Sequence, residues 1–479
     1  MQFQVYRFSF VSAALALLLP FAALAQQPTQ PARPAQEPRS KSQTEKPETV
    51  AAAAPLTLAE ALRIGLENNY DIRVSRQDER IAENNVTRGN AGQLPVANGN
   101  FTRTFNINNT RQVREQSEPV VINGGRANTL NANATATWTI FDGLGMFIAY
   151  DRLKTLNESQ RQFTRATIEE TVTNITDAYY AVVREFGKIG SIEEALKIGQ
   201  ARIDLTQARV DVGASAKVEV LTARVDYNAD RSVLIQQQEL LQRAKVNLNT
   251  LLGRAPRIDF SPADSIVVAR DLTRETVNQA LAQNNPRLQQ AKLNTQVATY
   301  DRRLVRASRF PQLGLTGGYG VNRNINNAFL INTANGSVLG SNTNRVFGPN
   351  YGVVASIPIF DGFNRSRLEQ NARIAEEQSQ LLLNQTQLQL EAEAEQAFAQ
   401  YQNRLQLLEL EEVNILLARE NVAIALERYR LGLLTPIVLR EAQRTQLDAE
   451  VRLLDIRYQA KQAEIVLRRL SSGLVQTPQ

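Results

Sequence analysis

The chain has 479 residues and contains no cysteine, no histidine and one tryptophan. Without cysteine it cannot form disulfides or use a thiolate nucleophile, and without histidine it lacks the usual general base near neutral pH. The commonest zinc ligands are also absent. An enzyme that uses only aspartate and glutamate stays possible. The net charge of +6 comes from 54 basic and 48 acidic residues, and aromatic residues make up 6%, which argues against a nucleic-acid-binding protein and against a polytopic helical membrane protein.

Residues 1–25 have the pattern of a secretory signal peptide. Arg7 precedes an apolar run from Phe8, and the run ends in Ala23-Leu24-Ala25. This order predicts cleavage after Ala25, with a retained membrane anchor as the alternative. No cysteine follows, so we expect no N-terminal lipid anchor. Six prolines among polar residues then predict a disordered or polyproline-like linker over 26–55.

Two halves of the chain contain the same landmarks in the same order. The segment Leu94-Pro95 matches Phe310-Pro311 at an offset of 216 residues, and the Phe-Asp-Gly segment at 141–143 matches 360–362 at an offset of 219. Such a constant offset indicates an internal duplication. We therefore expect five regions after the signal peptide: the linker, a first repeat (56–255), a connector (256–272), a second repeat (273–473) and a C-terminal tail (474–479).

Each repeat is predicted to begin with an amphipathic helix, over 58–92 in the first and 273–308 in the second. Two strands and a hairpin of two long helices follow. Residues 363–431 contain neither Gly nor Pro, so we expect one uninterrupted helix of about 100 Å. In the first repeat Gly187, Gly190 and Gly199 predict a weaker helix.

The long helices have a coiled-coil pattern and matching ends. Gly213 and Gly432 suit the left-handed position after a helix, and Thr435-Pro436 predicts an N-cap and the start of a return helix that lies antiparallel to the first. Apolar residues recur at every seventh position of both first helices: Val182, Ile189, Leu196, Ile203 and Val210 in one, and Tyr401, Leu408, Ile415, Val422 and Tyr429 in the other.

Alternation of apolar and polar residues predicts four short strands. It is clear at 133–140, 313–322 and 351–359, but Arg103 shares the apolar face of the first strand with Phe101, Phe105 and Ile107. We expect long polar loops at 109–128 and 326–348. The same alternation occurs in transmembrane barrels and in soluble half-buried sheets, so it does not by itself separate them.

Four strands are fewer than the smallest membrane barrel needs, so a barrel would require several chains. Helices on one side of the strands and long loops on the other favour an outer membrane. Four aromatic residues at the junctions of strands and helices would form its interfacial belt: Trp138, Phe141, Phe310 and Phe360.

These features resemble the TolC-like outer-membrane efflux protein family. The resemblance covers residues 56–473 and depends on the order and spacing of several motifs. They are Leu58-Ala59-Glu60-Ala61-Leu62 with Glu67-Asn68-Asn69, both Phe-Asp-Gly turns, Arg428-Tyr429-Arg430-Leu431-Gly432, and Leu248-Asn249-Thr250-Leu251-Leu252-Gly253.

The resemblance implies a mixed fold of α-helices and transmembrane β-strands, and a homotrimer. Each duplicated protomer would give four strands to a 12-stranded outer-membrane β-barrel, and its long antiparallel coiled-coil helices would form a periplasmic α-barrel. The hairpin turns would contact a periplasmic adaptor protein and close the channel. The expected contact residues are Gly213, Ala214, Ser215, Gly432, Leu433, Leu434 and Thr435.

The resemblance further implies an acidic, cation-binding ring at the channel entrance. Val438 occupies a position where the family commonly has an aspartate, which leaves Glu441 and Glu219 as candidates, with Arg428 and Arg430 as possible ion-pair tethers of the closed tip. A ring of carboxylates would favour cations. The alternative is that both glutamates are solvated charges on a coiled-coil surface.

The function implied is passive conduction from an inner-membrane pump, such as a resistance-nodulation-division or ABC transporter, to the exterior. Outer-membrane lipid would surround the barrel, and no catalytic residue, cofactor, metal or nucleic acid is expected. Drug efflux and type I protein secretion both stay open. A non-conducting trimeric coiled-coil stalk or adhesin is the alternative, and a periplasmic glycan-cleaving enzyme is less favoured because no paired carboxylates emerge from these stretches.

Overall fold

The computed structural model describes residues 54–473, except 116, 334 and 335. The predicted signal peptide, most of the linker and the tail 474–479 lie outside the described residues, while 54 and 55 belong to a short strand.

One order of elements occurs twice. The first set is β1 (Ala54–Leu56), α1 (Leu58–Asn68), α2 (Tyr70–Asn84), β2 (Val96–Arg114), β3 (Ser117–Phe141), α3 (Gly145–Asp211) and α4 (Lys217–Leu251); the second is β4 (Phe260–Pro262), α5 (Arg274–Asn284), α6 (Pro286–Ala307), β5 (Gln312–Thr333), β6 (Gly336–Ser356), α7 (Asn364–Arg430) and α8 (Pro436–Leu470).

The first helix predicted for each repeat is in fact two helices, and the break has a local cause. The Asn69 side chain accepts hydrogen bonds from the N–H groups of Asp71 and Ile72 at 2.9 and 3.2 Å, which caps α2. Its Nδ2 donates to the carbonyl of Leu251 at 2.9 Å. Asn285 caps α6 in the same way and donates to Leu470 at 3.1 Å. Each asparagine therefore anchors its helix pair to the end of the same repeat.

The predicted long helices and their seven-residue pattern are confirmed. Both α3 and α7 have 67 residues, and the three glycines of α3 do not interrupt it. All five heptad residues of α7 are buried, whereas Ile189 and Val210 of α3 are only half-buried. Each long helix packs along the return helix of its own hairpin, α3 on α4 and α7 on α8. The core of the hairpins is thus a set of coiled-coil seams.

The predicted strands were too short, and the predicted loops at 109–128 and 326–348 are mostly strand. The four long strands have 19, 25, 22 and 21 residues and pair antiparallel in the order β2-β3-β5-β6. The last of them ends at Ser356, three residues earlier than expected. Asn and Gly favour turns, whereas Thr favours strands, and cross-strand pairing outweighs the turn propensity here.

The two faces of this sheet differ sharply in chemistry. One face consists mainly of Asn, Thr and Gly, and Asn322 Nδ2 donates to Asn131 Oδ1 at 2.5 Å across it. The opposite face contains the rows Phe101–Ala132–Val321–Phe347 and Ala136–Gly317–Tyr351. Within the described residues, β2 and β6 are edge strands with one neighbour each. The fold is therefore the predicted mixture of duplicated helical hairpins and a four-stranded antiparallel sheet.

The connector 256–272 packs against the middle of the long helices. The Tyr179 hydroxyl lies 2.8 Å from Asp264 Oδ2, and burial raises the pKa of Tyr179 above its usual value. Tyr401 donates to the carbonyl of Ala269 at 2.5 Å. These contacts place the connector across both repeats.

Within the part of the chain that the structure describes, no helix combines the length and the apolar composition needed to cross a membrane.

Substitution of a heptad residue tests the seam between α7 and α8. Ile415 is 5% exposed and its neighbour Leu416 is 65% exposed. We expect Ile415→Ala to lower the free energy of unfolding by about 2–4 kcal/mol, because it leaves a cavity, and Leu416→Ala to change it much less. Urea unfolding of the purified protein, followed by circular dichroism, measures both. Equal effects would contradict the assigned seam.

Candidate functional site

The two hairpin turns have the same backbone structure. The Gly213 N–H donates to the carbonyl of Val210 at 3.0 Å, and the Ala214 N–H donates to the carbonyl of Arg209 at 2.8 Å. Gly432 and Leu433 repeat both bonds in the second hairpin. Both glycines have φ near +75°, at 74° and 77°. This is a Schellman end, which glycine adopts without a Cβ clash.

Large apolar side chains are exposed at both turns. Of the predicted adaptor-contact residues, Ser215 and Leu434 are half-buried and the others are exposed. Around them lie apolar residues that are at least half exposed: Val212, Val218, Leu431, Leu433, Ile437 and Val438. Exposed apolar groups concentrated at one end are typical of a surface that binds another protein.

The predicted gate residues do not form one cluster in the protomer. Arg428 and Glu441 line the same open cavity of about 440 Å³, together with Leu434 and Val438. Glu219 accepts a hydrogen bond of 2.6 Å from Ser215, in the first turn of α4. Arg430 pairs at 2.7 Å with Glu427 of its own helix. Among the described residues, no ion pair joins Arg428 or Arg430 to the other hairpin.

A different set of residues ties the two hairpins together, beginning with Tyr429. Its hydroxyl lies 2.7 Å from Thr206 Oγ1, and the Arg209 guanidinium lies over its ring at 4.6 Å. Arg209 also donates to the backbone carbonyls of Tyr429 and Arg430. In the sequence, Tyr429 stands out as a heptad residue and as part of the motif at 428–432, and neither pattern predicts this tie. Its role in joining α3 to α7 depends on contacts across 223 residues of sequence.

A second tie lies farther from the turns and consists of four charged side chains. Arg440 of α8 binds both oxygens of Asp230 of α4, at 2.6 and 2.7 Å. Arg202 of α3 binds Asp226 at 2.9 Å, and Asp226 also lies 4.0 Å from Arg440 Nε. The hydrogen bond to Asp230 raises the pKa of Arg440, so the guanidinium stays charged.

Sequence reasoning missed this charged cluster because the duplication does not predict it. At the offset of 219, Arg202 corresponds to Asn421 and Arg440 corresponds to Leu221. No local motif connects residues that lie 210 positions apart.

The predicted belt aromatics all lie where the strands meet the helices. Trp138 donates from Nε1 to the carbonyl of Gln93 at 3.0 Å, and its ring is 43% exposed. Phe141 ends β3, Phe310 precedes β5 by two residues, and Phe360 packs edge-on against Phe363 with ring centroids 5.4 Å apart. Within the described ranges, no group of three or more acidic residues is placed to hold a metal ion.

Removal of the Arg440 guanidinium tests the charged tie. Arg440→Gln leaves Asp230, which is 11% exposed, without its cation, while Asp226 keeps its bond to Arg202. We expect the free energy of unfolding to fall by about 1–3 kcal/mol, less than for a fully buried pair, because Arg440 is partly solvated. Arg444→Gln, one turn along α8 and exposed, is the matched control. Urea unfolding that gives equal midpoints for both variants would contradict the tie.

Comparison with known proteins agrees with this architecture. The protein is similar to the cation efflux system protein CusC of Escherichia coli (strain K12), with 26% identity over 431 residues, 85% of this chain and 84% of that protein. It is also similar to the probable efflux pump outer membrane protein TtgC of Pseudomonas putida, with 23% identity, covering 87% of this chain and 83% of the relative. The crystal structure of the Campylobacter jejuni CmeC outer membrane channel matches with a TM-score of 0.69 and 16% identity, over 87% of this chain and 85% of that one.

The family profile described as outer membrane efflux protein matches twice, over residues 62–254 and 277–473. These two ranges cover most of the chain and include both helical hairpins and all four long strands. Of these proteins, CusC is named as part of a cation efflux system, TtgC as a probable efflux pump outer membrane protein, and CmeC as an outer membrane channel. The chain therefore belongs to the outer membrane efflux protein family.

Proposed function

We propose that the protein is a homotrimeric exit duct, which conducts substrates passively from an inner-membrane pump to the cell exterior. The observation that carries this proposal is a set of exposed apolar residues at heptad spacing on α7. Ile374, Leu381 and Leu388 are 55%, 68% and 67% exposed. A seven-residue apolar stripe needs a partner helix. Since α6 and α8 of the same chain already pack against other faces of α7, the partner is another copy of the chain.

The contact between the repeats within one chain supplies the template for this junction. There Ser159 of α3 donates to Asn294 of α6 at 2.8 Å. At the repeat offsets of 219 and 216, these positions correspond to Gln378 of α7 and Asp78 of α2. If α7 runs antiparallel to α2 of the next copy with Gln378 opposite Asp78, Ile374 lies within one residue of Ile81. Leu381 then lies within one residue of Val74. Ile81 and Val74 are both exposed, at 59% and 60%.

The Phe-Asp-Gly turns support the same junction. A Cβ on Gly143 would lie 2.5 Å from the carbonyl of Ala307, whereas a Cβ on Gly362 would meet no described atom within 4 Å. The counterparts of Ala307 and Phe310 in the first repeat are Ala91 and Leu94. We infer that Ala91 and Leu94 of the next copy cover Gly362. The sheet would close likewise, β6 pairing with β2 of the next copy, so that three copies give twelve strands.

The natural absence of cysteine allows a direct test of this junction. We expect the double variant Asp78→Cys and Gln378→Cys to form interchain disulfides on mild oxidation, giving covalent dimers and trimers on denaturing gels. The pair Arg76→Cys and Gln378→Cys is the control, because position 76 lies on another face of α2. A monomer in solution, or equal cross-linking by both pairs, would contradict the proposal.

In the trimer, the polar Asn, Thr and Gly face of the sheet would line the lumen and the apolar face would contact lipid. The helical hairpins would extend into the periplasm, with the exposed apolar turns against a periplasmic adaptor of the pump. Efflux is favoured over protein secretion, because the relatives CusC and TtgC are named as components of efflux systems. Glu441 would face the entrance, where three copies would form an acidic ring that favours cations.

Conductance in planar bilayers tests both the duct and the ring. We expect the purified protein to form channels that select cations, and Glu441→Gln to lower the cation-to-anion permeability ratio by about twofold or more, since it removes like charges from a constriction. Glu420→Gln, at an exposed position of α7, is the charge-matched control.

The possible outcomes separate the two parts of the proposal. Channels with unchanged selectivity in Glu441→Gln would refute the ring and leave the duct intact. A folded trimer that conducts under no opening condition would favour the non-conducting stalk.

A further inference from the structure

The sheet contains an unusual excess of arginine. Its four long strands include six arginines, no lysine and one acidic residue. Sequence alternation had placed Arg103 on an otherwise apolar face, without a reason for a cation there. The strand register supplies the reason, because it places two further arginines in the same cross-strand row.

The row runs straight across the sheet on the apolar face. Arg103 lies opposite Leu130, Leu130 lies opposite Arg323, and Arg323 lies opposite Arg345. All three arginines are exposed. Neighbouring strands are about 4.8 Å apart, so Arg323 and Arg345 are adjacent and Arg103 lies about 10 Å away, within reach of one extended ligand.

These charges repel one another, and no carboxylate in the described part of the sheet pairs with them. Like charges directly opposite each other on neighbouring strands are destabilising. Among the described residues, no ion pair includes Arg103, Arg323 or Arg345; Arg103 and Arg345 instead lie over the rings of Phe105 and Phe347, at 4.8 and 5.5 Å. An external anion would remove the repulsion, and guanidinium groups match phosphate oxygens in geometry.

The position of the row relates it to the membrane. Between Trp138 and Leu130 of β3, the apolar face contains only apolar residues and tyrosine: Phe101, Ala132, Val321 and Phe347, then Gly99, Ala134, Tyr319 and Pro349, then Ala97, Ala136, Gly317 and Tyr351. Eight residues of strand span about 27 Å, or about 20 Å across a membrane at a tilt near 40°. This is close to the apolar band of a membrane barrel, and the arginines stand at the edge opposite the helices.

We propose that Arg103, Arg323 and Arg345 bind the phosphate groups of an anionic glycolipid in the outer leaflet of the membrane. The proposal rests on the orientation proposed above, with the helices in the periplasm, which puts the row at the outer headgroup level. The lipid would neutralise the row, and three copies would present three such sites around the barrel.

The probes are lipid A with two phosphates and its monophosphorylated form. The two lipids have the same acyl chains and differ by one phosphate. Thermophoresis of the purified trimer in neutral detergent would measure binding. We expect about tenfold tighter binding of the diphosphorylated lipid by the natural protein, and a loss of about tenfold in Arg323→Gln/Arg345→Gln. Arg323→Lys/Arg345→Lys should keep most of the affinity, because it keeps the charge. Arg224→Gln/Arg231→Gln, at exposed positions of α4, is the charge-matched control.

Three results would overturn the proposal: equal binding of both lipids, full affinity in the double glutamine variant, or an equal loss in the α4 control. Displacement by millimolar inorganic phosphate would also overturn it, since it would mark a site for the free ion. Circular dichroism shows whether each variant is folded, and bilayer conductance shows whether it still forms a channel. A folded, conducting variant that has lost lipid affinity supports the lipid site, whereas absent conductance in every variant concerns the duct alone.

Discussion

Apolar packing between long helices at seven-residue spacing is the interaction on which the rest of the structure depends. A helix of 67 residues has a large surface and a narrow core-facing stripe, so it cannot bury its apolar residues alone. On α7 the stripe through Tyr401 and Ile415 is buried against α8, while Ile374 and Leu381 stay exposed. Within one chain, α6 and α8 already pack against other faces of α7. The exposed stripe that they leave uncovered is the physical reason to expect an assembly of copies.

The duplication explains how one chain can build such an assembly. Residues that the local backbone conformation requires are the same in both repeats. Gly213 corresponds to Gly432 after the long helices, and Asn69 corresponds to Asn285 at the helix caps. Polar ties are not shared, since the counterparts of Arg202 and Arg440 are Asn421 and Leu221. In the proposed trimer, the common backbone would let the repeats alternate in space, and the divergent polar contacts would make the junction within a chain differ from that between copies. The cluster of Arg202, Asp226, Asp230 and Arg440 joins the two hairpins of one protomer.

The sheet has two surfaces with different chemistry, and both can be related to an outer-membrane channel. Asn, Thr and Gly on one face offer hydrogen bonds without charge, which suits a water-filled lumen. On the apolar face, the row of arginines follows the last wholly apolar row, and the row beyond it mixes Phe105 and Ile325 with Asn128 and Thr343. A duct works by shape and by the chemistry of its surfaces, which is consistent with a chain that has no cysteine and no histidine.

The sequence by itself determined the features that depend on local patterns. Seven-residue periodicity predicted the coiled-coil seams, an uninterrupted run without Gly or Pro predicted α7, and glycines with left-handed backbone predicted the hairpin turns. The constant offset between landmarks predicted the duplicated architecture. These properties depend on residues within a few turns of one another, so an isolated segment already contains them.

Only the tertiary structure decided the features that join distant segments. The strands extend through the predicted loops because their neighbours supply hydrogen-bond partners along most of their length, with register shifts at a few positions. The Asn69 cap between α1 and α2 is local, but its bond to the carbonyl of Leu251, 182 residues away, anchors this helix pair to the end of the repeat. The pair of Arg440 and Asp230, and the row of Arg103, Arg323 and Arg345, exist because packing and strand register bring together residues that share no local pattern.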